Sequence, residues 1–414
     1  MRHGRVYSAR VSHGLGSAAM SLQIGIAGAG IGGLAAGALL AQAGHQVRVF
    51  DQFDAPKPVG SGLVIQPVGL AVLDAIGAGD TARVKGNRIT RMLGHEAESG
   101  RPVLDVWYDH SSEGAVYGLA IHRASLFEAI LEAALAAGVE LVPNHAVLEV
   151  DGGAMTFEGQ PPSTRFDLVI DASGAGSVLS PIETRPLPYG AIWGTVPWPD
   201  KTALPTGELR QCYRRADRMI GVMPCGTLPG SRVAQTAIFW SLPRGGYDAW
   251  SATPLEAWRT EAEALWPEVA PFLAQVHDHD QMTMARYSHG TLRTPFGDRL
   301  AFIGDSAHRA SPQLGQGANM ALLDAFALTQ ALAGERDIQV ALLNYARARR
   351  AHIWVYQAMS WAFTPQYQSD SRWLPKLRDH LLFPLSQIPP VPAILNKLVC
   401  GNLLPPVGSL APRP

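Results

Sequence analysis

A glycine-rich turn between a strand and a helix, close to the start of the chain, limits what this sequence can fold into. Leu22–Ala27 is a short apolar run that reads as a buried strand. Gly28-Ala29-Gly30-Ile31-Gly32-Gly33 follows, then a small-residue helix over Leu34–Ala43 stopped by Gly44. A second strand, Gln46–Phe50, ends at Asp51. This is G-x-G-x-x-G opening a helix in a strand–turn–helix–strand unit, with an acid at the end of the second strand. Gly28 permits the tight turn, Gly30 lets a pyrophosphate approach the backbone, and Gly33 lets helix and sheet pack closely. The helix start, Ile31 included, offers free N–H groups and the positive dipole end to phosphates. Asp51 stands where it can accept hydrogen bonds from a ribose. The pattern predicts a dinucleotide site and does not separate FAD from NAD.

A second constellation lies far downstream. Arg299–Ile303 reads as another buried strand and runs into Gly304-Asp305-Ser306-Ala307-His308. Pro312-Gln313-Leu314-Gly315-Gln316-Gly317-Ala318-Asn319 then leads into an apolar helix from Met320 to about Ala333. Asp305 at a strand end can hold a polyol hydroxyl, and Gly315 and Gly317 leave space for a flat ring against backbone. A helix beginning near Gly317 points N–H groups at that ring. Beside an isoalloxazine, its partial positive charge stabilises the anionic reduced form.

Together these motifs resemble the flavoprotein monooxygenases of the p-hydroxybenzoate hydroxylase type, the single-component aromatic hydroxylases, over about Leu22 to Ala351 and in the family's order. The resemblance implies an α/β fold. A Rossmann-like FAD-binding domain of the glutathione reductase/p-hydroxybenzoate hydroxylase type would comprise 21–80, 116–185 and 286–345. An interleaved, mostly antiparallel β substrate domain would take 81–115 and 186–285, and a C-terminal helical cover 346–414. FAD would be held by Gly28, Gly30, Ile31, Gly33, Asp51, Gly304, Asp305, Gly315, Gly317, Ala318 and Asn319. Ile121-His122-Arg123-Ala124-Ser125-Leu126 is similar to the family's Arg-x-x-Leu element, which would place Arg123 near the pyrophosphate or flavin. Read alone, Arg123 is a surface charge at a helix start. The implied reaction is NADH- or NADPH-driven hydroxylation by O2 of an aromatic, heteroaromatic or quinone-like ring, through a flavin C4a-hydroperoxide. No dedicated catalytic side chain is visible; Pro312 and Gly315 are candidates for positioning, and His308 has a positional reading too.

One element departs from the family pattern. In Asp171-Ala172-Ser173-Gly174-Ala175-Gly176-Ser177, Ser173 stands where the family has Asp, and Ser180 near where it has Arg. That element is associated with both FAD and pyridine nucleotide. The departure keeps open an FAD-dependent reductase or oxidase of the same fold, or a catalytically degenerate FAD-binding protein. The Trp-x-Trp-x-Ile-Pro element of flavoprotein halogenases is not matched by Trp193-Gly194-Thr195-Val196-Pro197-Trp198.

Between the motifs, Leu187 to Arg286 alternates in short segments: Gly190–Val196, Glu208–Arg214, Arg218–Pro224 and Val233–Ser241. This predicts a mostly antiparallel sheet, which the resemblance makes a roof over the flavin. Trp193, Tyr213, Met219, Met223, Phe239 and Trp240 offer apolar and stacking surface to a substrate; their other reading is sheet core. His277-Asp278-His279-Asp280 reads as a solvated turn rather than a metal site. After Ala341 the chain reads as helical to about Phe363, and the tail to Pro414 as a cover for the site, a dimer contact or a surface for lipophilic substrate, with packing on the core as its plainest role.

Composition enters mainly by exclusion. A formal net charge of −1 with 17% charged residues argues against an electrostatically driven nucleic-acid binder. No apolar run reaches the roughly 18–20 residues of a membrane span. Cys212, Cys225 and Cys400 form no CxxC pair and read as reduced thiols of a cytoplasmic protein. The expected partners are a small aromatic or lipophilic substrate and O2, with the chain a monomer or homodimer. Met1 to Met20 lacks an apolar signal core and reads as a disordered tail or a misassigned start.

Overall fold

The computed structural model describes residues 21–54, 61–109 and 115–408. The expected tail at 1–20 lies outside the described residues. The first sheet has six strands in the order β17 (Phe296–Gly297), β18 (Leu300–Phe302), β11 (Leu168–Asp171), β1 (Gln23–Ala27), β2 (Gln46–Phe50) and β8 (Glu140–Val142). All neighbours are parallel except β17 and β18. Ile24, Ile26, Val49, Leu168 and Ile170 have no exposed surface. They read as uninterrupted apolar runs because a parallel sheet is covered on both faces. On one side lie α1 (Ile31–Gln42), α4 (Arg123–Ala136) and α8 (Gly317–Gly334). On the other lies the hairpin of β9 (Val147–Asp151) and β10 (Ala154–Phe157), whose Met155 and Phe157, with Phe166 just before β11, pack on Phe50 and Val169.

The second large sheet has eight strands. Their order is β19 (His308–Arg309), β16 (Met282–Thr291), β12 (Arg185–Pro197), β15 (Ala234–Pro243), β14 (Arg218–Thr227), β13 (Glu208–Arg214), β5 (Arg91–Glu96) and β6 (Pro102–Trp107). Only β13 and β5 run parallel. Side chains alternate across its faces. Ile192, Ile220, Val222, Ile238 and Trp240 pack on α5 (Tyr247–Ser251), α6 (Leu255–Leu265) and α7 (Ala270–Leu273). The opposite face meets a three-stranded sheet of β3 (Gly62–Ile65), β7 (Gly118–His122) and β4 (Asn87–Ile89). Two short helices, α2 (Pro67–Ile76) and α3 (Gly79–Lys85), join β3 to β4.

The long α9 (Ile338–Tyr367) follows α8. Its end, with α10 (Leu374–Leu377), α11 (Phe383–Ser386) and α12 (Val391–Cys400), forms the C-terminal segment. Tyr367, Val399 and Cys400 from this segment close over the same sheet face as β3 and β7.

Several edges differ from the sequence reading. Helix α1 begins at Ile31 rather than Leu34, because Gly32 and Gly33 belong to its first turn, and α8 begins at Gly317, ahead of its apolar run from Met320. Strand β4 pairs with β7, so residues up to 89 belong with the small sheet and not with the eight-stranded one expected to take 81–115. Strand β16 carries the large sheet on to Thr291, past the expected edge at 285.

Candidate active site

An elongated cleft of about 590 Å³ runs between the start of α1, the end of β2, Arg123, the Ser173–Gly176 turn and the start of α8. The three glycines of the first motif do different work there. A Cβ on Gly33 would stand 2.0 Å from the Gly28 carbonyl oxygen, so helix and turn touch only because residue 33 has no side chain. Gly28 has φ +100° and would place a Cβ 2.7 Å from the Ala172 carbonyl. A Cβ on Gly30 would meet nothing within 4 Å and would project into the cleft. Asp51 lines the cleft with its carboxylate braced: Oδ2 accepts from the Ala29 N–H at 2.7 Å and Oδ1 from the Phe53 N–H at 3.0 Å.

Arg123 opens α4, and His122 caps it by accepting the Ala124 N–H at Nδ1 (3.2 Å). Burial, and then the Arg123 charge, pushes the His122 imidazole below its ordinary range, as an accepting nitrogen requires. Arg123 and Asp305 are open to the cleft and surrounded by protein on their other sides. Burial lowers the guanidinium and the Asp305 charge opposes that; burial raises the carboxyl against His308, Arg123 and Arg309.

At the second motif, Gly304 (φ +63°) turns the chain, and its N–H is held by Asp324 Oδ2 at 2.9 Å. Asp324 also accepts from His308 Nε2 at 2.6 Å and from Arg349 Nε at 2.7 Å. Burial alone would raise this carboxyl; His308 and Arg349 outweigh it and hold Asp324 down at about 2. The network runs on through Arg349 to the Pro406 carbonyl and to His352 Nδ1, whose ring donates from Nε2 to the Gly401 carbonyl at 2.9 Å. Sequence reasoning missed Asp324. Its signal was an acid inside an otherwise apolar helix.

The remaining predicted residues divide. Gly304, Asp305, Gly317 and Ala318 line the cleft beside Ile31, and a Cβ on Gly317 would meet nothing within 4 Å. Gly315 (φ +60°) ends the Pro312–Leu314 turn, donating to the Pro312 carbonyl at 2.9 Å. Asn319 differs from expectation. Its side chain is fully buried, donating to the Val64 and Gly315 carbonyls and accepting the Gln66 N–H. It therefore clamps β3 to the Gly315 turn, with both Nδ2 hydrogens used within the protein. Gln66, which sequence reasoning also missed, is buried with Oε1 accepting from the Tyr108 hydroxyl at 2.7 Å. Its Nε2 has no protein partner and lies 3.2 Å from where a Cβ on Gly315 would stand.

In the Asp171–Ser177 turn, Asp171 Oδ1 accepts from Ser173 Oγ (2.5 Å) and Ser173 N (3.0 Å), and Oδ2 from Ser177 Oγ (2.5 Å). Ser180 Oγ donates to the Ser306 carbonyl at 2.5 Å. Of the two departures from the family pattern, Ser173 is thus occupied in closing its own turn on Asp171, and Ser180 in joining that turn to the Gly304 loop.

Five of the six aromatic and Met candidates share one face of the eight-stranded sheet: Trp193, Tyr213, Met219, Met223 and Phe239. Trp193 and Phe239 are register partners and stack with centroids 4.3 Å apart. Trp193 Nε1 donates to the Tyr287 hydroxyl at 2.8 Å. Trp240 is the exception. Period-two alternation turns it to the other face, where it is 1% exposed among Ile192, Ile238 and Trp250. It is core of the helical side and cannot share a chamber with the other five. The His277–Asp280 segment is a capped turn, with Asp278 accepting the Asp280 N–H and Gln281 Oε1 accepting from 277 and 278.

The cleft fits FAD on its own terms. Gly30, Gly174, Gly176 and Gly317 leave backbone bare along it. Two helix N-termini and the Arg123 guanidinium supply the donors a pyrophosphate needs, and the Asp51 and Asp305 carboxylates the acceptors for sugar and polyol hydroxyls.

A family profile described as FAD binding domain matches residues 21–360. The 2-heptyl-3-hydroxy-4(1H)-quinolone synthase of Mycobacteroides abscessus is 27% identical over 369 residues, covering 81% of this chain and 88% of the relative. The FAD-dependent urate hydroxylase of Klebsiella pneumoniae is 26% identical over 339 residues, covering 78% and 85%. Among solved structures, Klebsiella pneumoniae HpxO complexed with FAD and uric acid superposes with a TM-score of 0.75 at 21% identity, covering 92% of this chain and 98% of that one. The chain belongs to the FAD-dependent aromatic hydroxylase family.

Proposed function

We propose that this FAD-dependent monooxygenase uses NADH or NADPH to hydroxylate an aromatic or heteroaromatic small molecule. The observation that carries the substrate class is the apolar sheet face on which Trp193 stacks on Phe239, flanked by Met219 and Met223. A flat ring gains contact area and edge or stacking geometry from such a surface. Bound FAD supplies electron uptake from the nicotinamide and activation of O2.

The chain's own residues do the rest. The N–H groups opening α1 and the Arg123 guanidinium would hold the pyrophosphate, Asp51 a ribose, and Asp305 the ribityl chain. The start of α8, at Gly317 and Ala318, would offer its N–H groups and positive dipole end to the flavin ring, favouring negative charge there. Asn319 and Pro312 fix the Gly315 turn next to the start of that helix. The Tyr287 hydroxyl, pushed up to about 12 by burial, keeps its proton. It fixes the Trp193 indole and cannot serve as a base at neutral pH. Apolar packing over the face excludes water, which the reaction needs.

The test is oxygen consumption coupled to NAD(P)H oxidation, with one oxygen atom from labelled O2 found in a ring product. Purified protein that takes up no FAD on reconstitution would overturn the reading.

A second reading, an FAD-dependent oxidase or reductase fed by another electron donor, is favoured by one observation. The carboxylate at Asp171 accepts from Ser173 and Ser177, and residue 173 carries no charge. Anaerobic mixing with NADH and NADPH decides: rapid flavin bleaching in the presence of substrate supports the first reading, slow bleaching with both the second.

A further inference from the structure

We propose that the C-terminal segment docks the protein on an anionic lipid surface. The first observation is charge. From Ile338 to the end the chain has eight Lys and Arg against two acids, Asp370 and Asp379, in a protein whose net charge is −1. Both acids are engaged: Asp370 accepts the Tyr189 hydroxyl at 2.5 Å, and Asp379 accepts from the buried Arg378 at 2.6 Å. Arg347, Arg350, Arg372, Lys376 and Lys397 are exposed, and none has an ion-pair partner among the described residues.

The second observation is exposed apolar surface interleaved with those cations. On α9, Val340, Leu343, Arg347, Arg350, Trp354 and Trp361 recur at spacings of three, four and seven, which sets them on one face. Trp354 is 70% exposed and Trp361 66%. Just beyond, Trp373 is 78% exposed, and Leu377, Leu381, Leu385 and Ile388 follow it, again three or four apart and all exposed. Lys376 lies over the Trp373 ring, 5.3 Å from its centroid. Trp and Leu with basic neighbours on a helix surface are the composition that settles into a headgroup layer, and free cations select anionic lipid. A second copy of the chain fits less well, because a two-fold contact would set this cationic patch against itself. The segment would lie on the surface: no helix among the described residues is long and apolar enough to cross a membrane. Since Tyr367, Val399 and Cys400 also close the substrate face, docking would bring the substrate chamber beside the lipid. That consequence rests on the proposed function; the docking itself does not.

The experiment floats the full-length, FAD-loaded protein with vesicles of phosphatidylglycerol and phosphatidylcholine, and with phosphatidylcholine alone. Binding to the anionic vesicles is expected, weakening at roughly 0.5 M salt as screening shortens the charge range. Trp354→Ser with Trp361→Ser and Trp373→Ser, or Arg347→Glu with Arg350→Glu, should each lower partition by roughly tenfold or more, with flavin absorbance and melting temperature unchanged. Absence of binding, equal binding to both vesicle types, or folded variants that bind as tightly as the parent overturns the proposal. So does a parent dimer, seen by light scattering, that ignores vesicles and dissociates in the Trp variant; the face is then a self-interface.

Discussion

The cofactor cleft and the proposed substrate face are built by opposite means. Bare backbone shapes the cleft: Gly33 touches the Gly28 carbonyl, and Gly30 and Gly317 leave open space where a side chain would project. The proposed substrate face is shaped by large side chains, with Trp193, Phe239, Met219 and Met223 set by alternation along three strands. The cleft should therefore be most sensitive to added atoms and the sheet to removed ones.

The largest effect expected is at Gly33. In Gly33→Ala the new methyl meets a backbone oxygen that no rotamer can move, a cost on the order of 3 kcal/mol. The variant should accumulate poorly and hold no FAD. Gly30→Ala should melt like the parent, yet bind FAD roughly tenfold more weakly or worse, since its methyl enters the cleft (about 1.4 kcal/mol per decade). Apo-protein melting and FAD titration by fluorescence separate the two. A Gly33→Ala protein with parental FAD affinity would break the contrast.

Removal is the matching test on the sheet. Trp240→Ala empties a fully buried site on the helical side and should cost about 3–5 kcal/mol in denaturant unfolding. If the variant is cooled enough to stay folded, coupling of NAD(P)H oxidation to product should survive. Trp193→Ala removes a partly buried ring and should cost less stability. Its substrate KM should rise and more reducing equivalents should end as hydrogen peroxide. Equal loss of coupling in both variants would show that the two sheet faces are not functionally distinct.

This contrast also explains what the sequence could disclose. The glycine spacings of 28–33 and 304–319 are legible because a tight turn opening a helix is a local pattern, even though the atoms that crowd Gly28 and Gly315 belong to Ala172 and Gln66, far along the chain. Strand Gln46–Phe50 and strand Glu208–Arg214 are found where alternation and turn residues put them. The face a strand residue occupies depends on what covers the sheet. Nothing in Phe239-Trp240 distinguishes the ring facing β3 from the ring facing α6. Asn319 sat in a recognised motif and Asp324 in the apolar helix that follows it, but their partners come from β3, the Gly315 turn, His308 and Arg349. Those contacts exist only after the chain has folded.

The Asp324–His352 network is where side chains, not bare backbone, hold the cleft, at the Gly304 turn. Acid should reveal it. Burial, and then Arg349, lowers His352 from 6.5 to about 3. Between those values the unfolded chain binds a proton that the folded one refuses, so stability falls as pH drops through that window. Asp324, held at about 2 against an ordinary 3.8, adds stability above the ordinary value that is lost as pH falls toward the lower one. Melting temperature should therefore decline from neutral pH into the acid range. His352→Gln, which keeps a donor for Gly401 and an acceptor for Arg349, should flatten the upper part of that decline. An unchanged slope would mean that another group titrates there.

The smallest effect belongs to Ser173, the residue that departs from the family pattern inside an otherwise matching cleft. Ser173→Ala removes one of the three donors to Asp171 and leaves Ser177 Oγ and the residue 173 N–H in place. A hydrogen bond to a charged group that keeps other partners contributes about 1–2 kcal/mol, read as a small drop in melting temperature. FAD affinity should stay close to parental, because the hydroxyl points at Asp171 and not at the cleft. Ser173→Asp sharpens the point. It restores the family's acid but sets a second carboxylate against Asp171, where the serine oxygen now sits at 2.5 Å. If the turn serves only to position the Gly304 loop, Ser173→Asp loses stability and gains no rate of reduction by NAD(P)H. A faster reduction in that variant would assign residue 173 to nicotinamide handling and make the cleft sensitive to charge as well as to space.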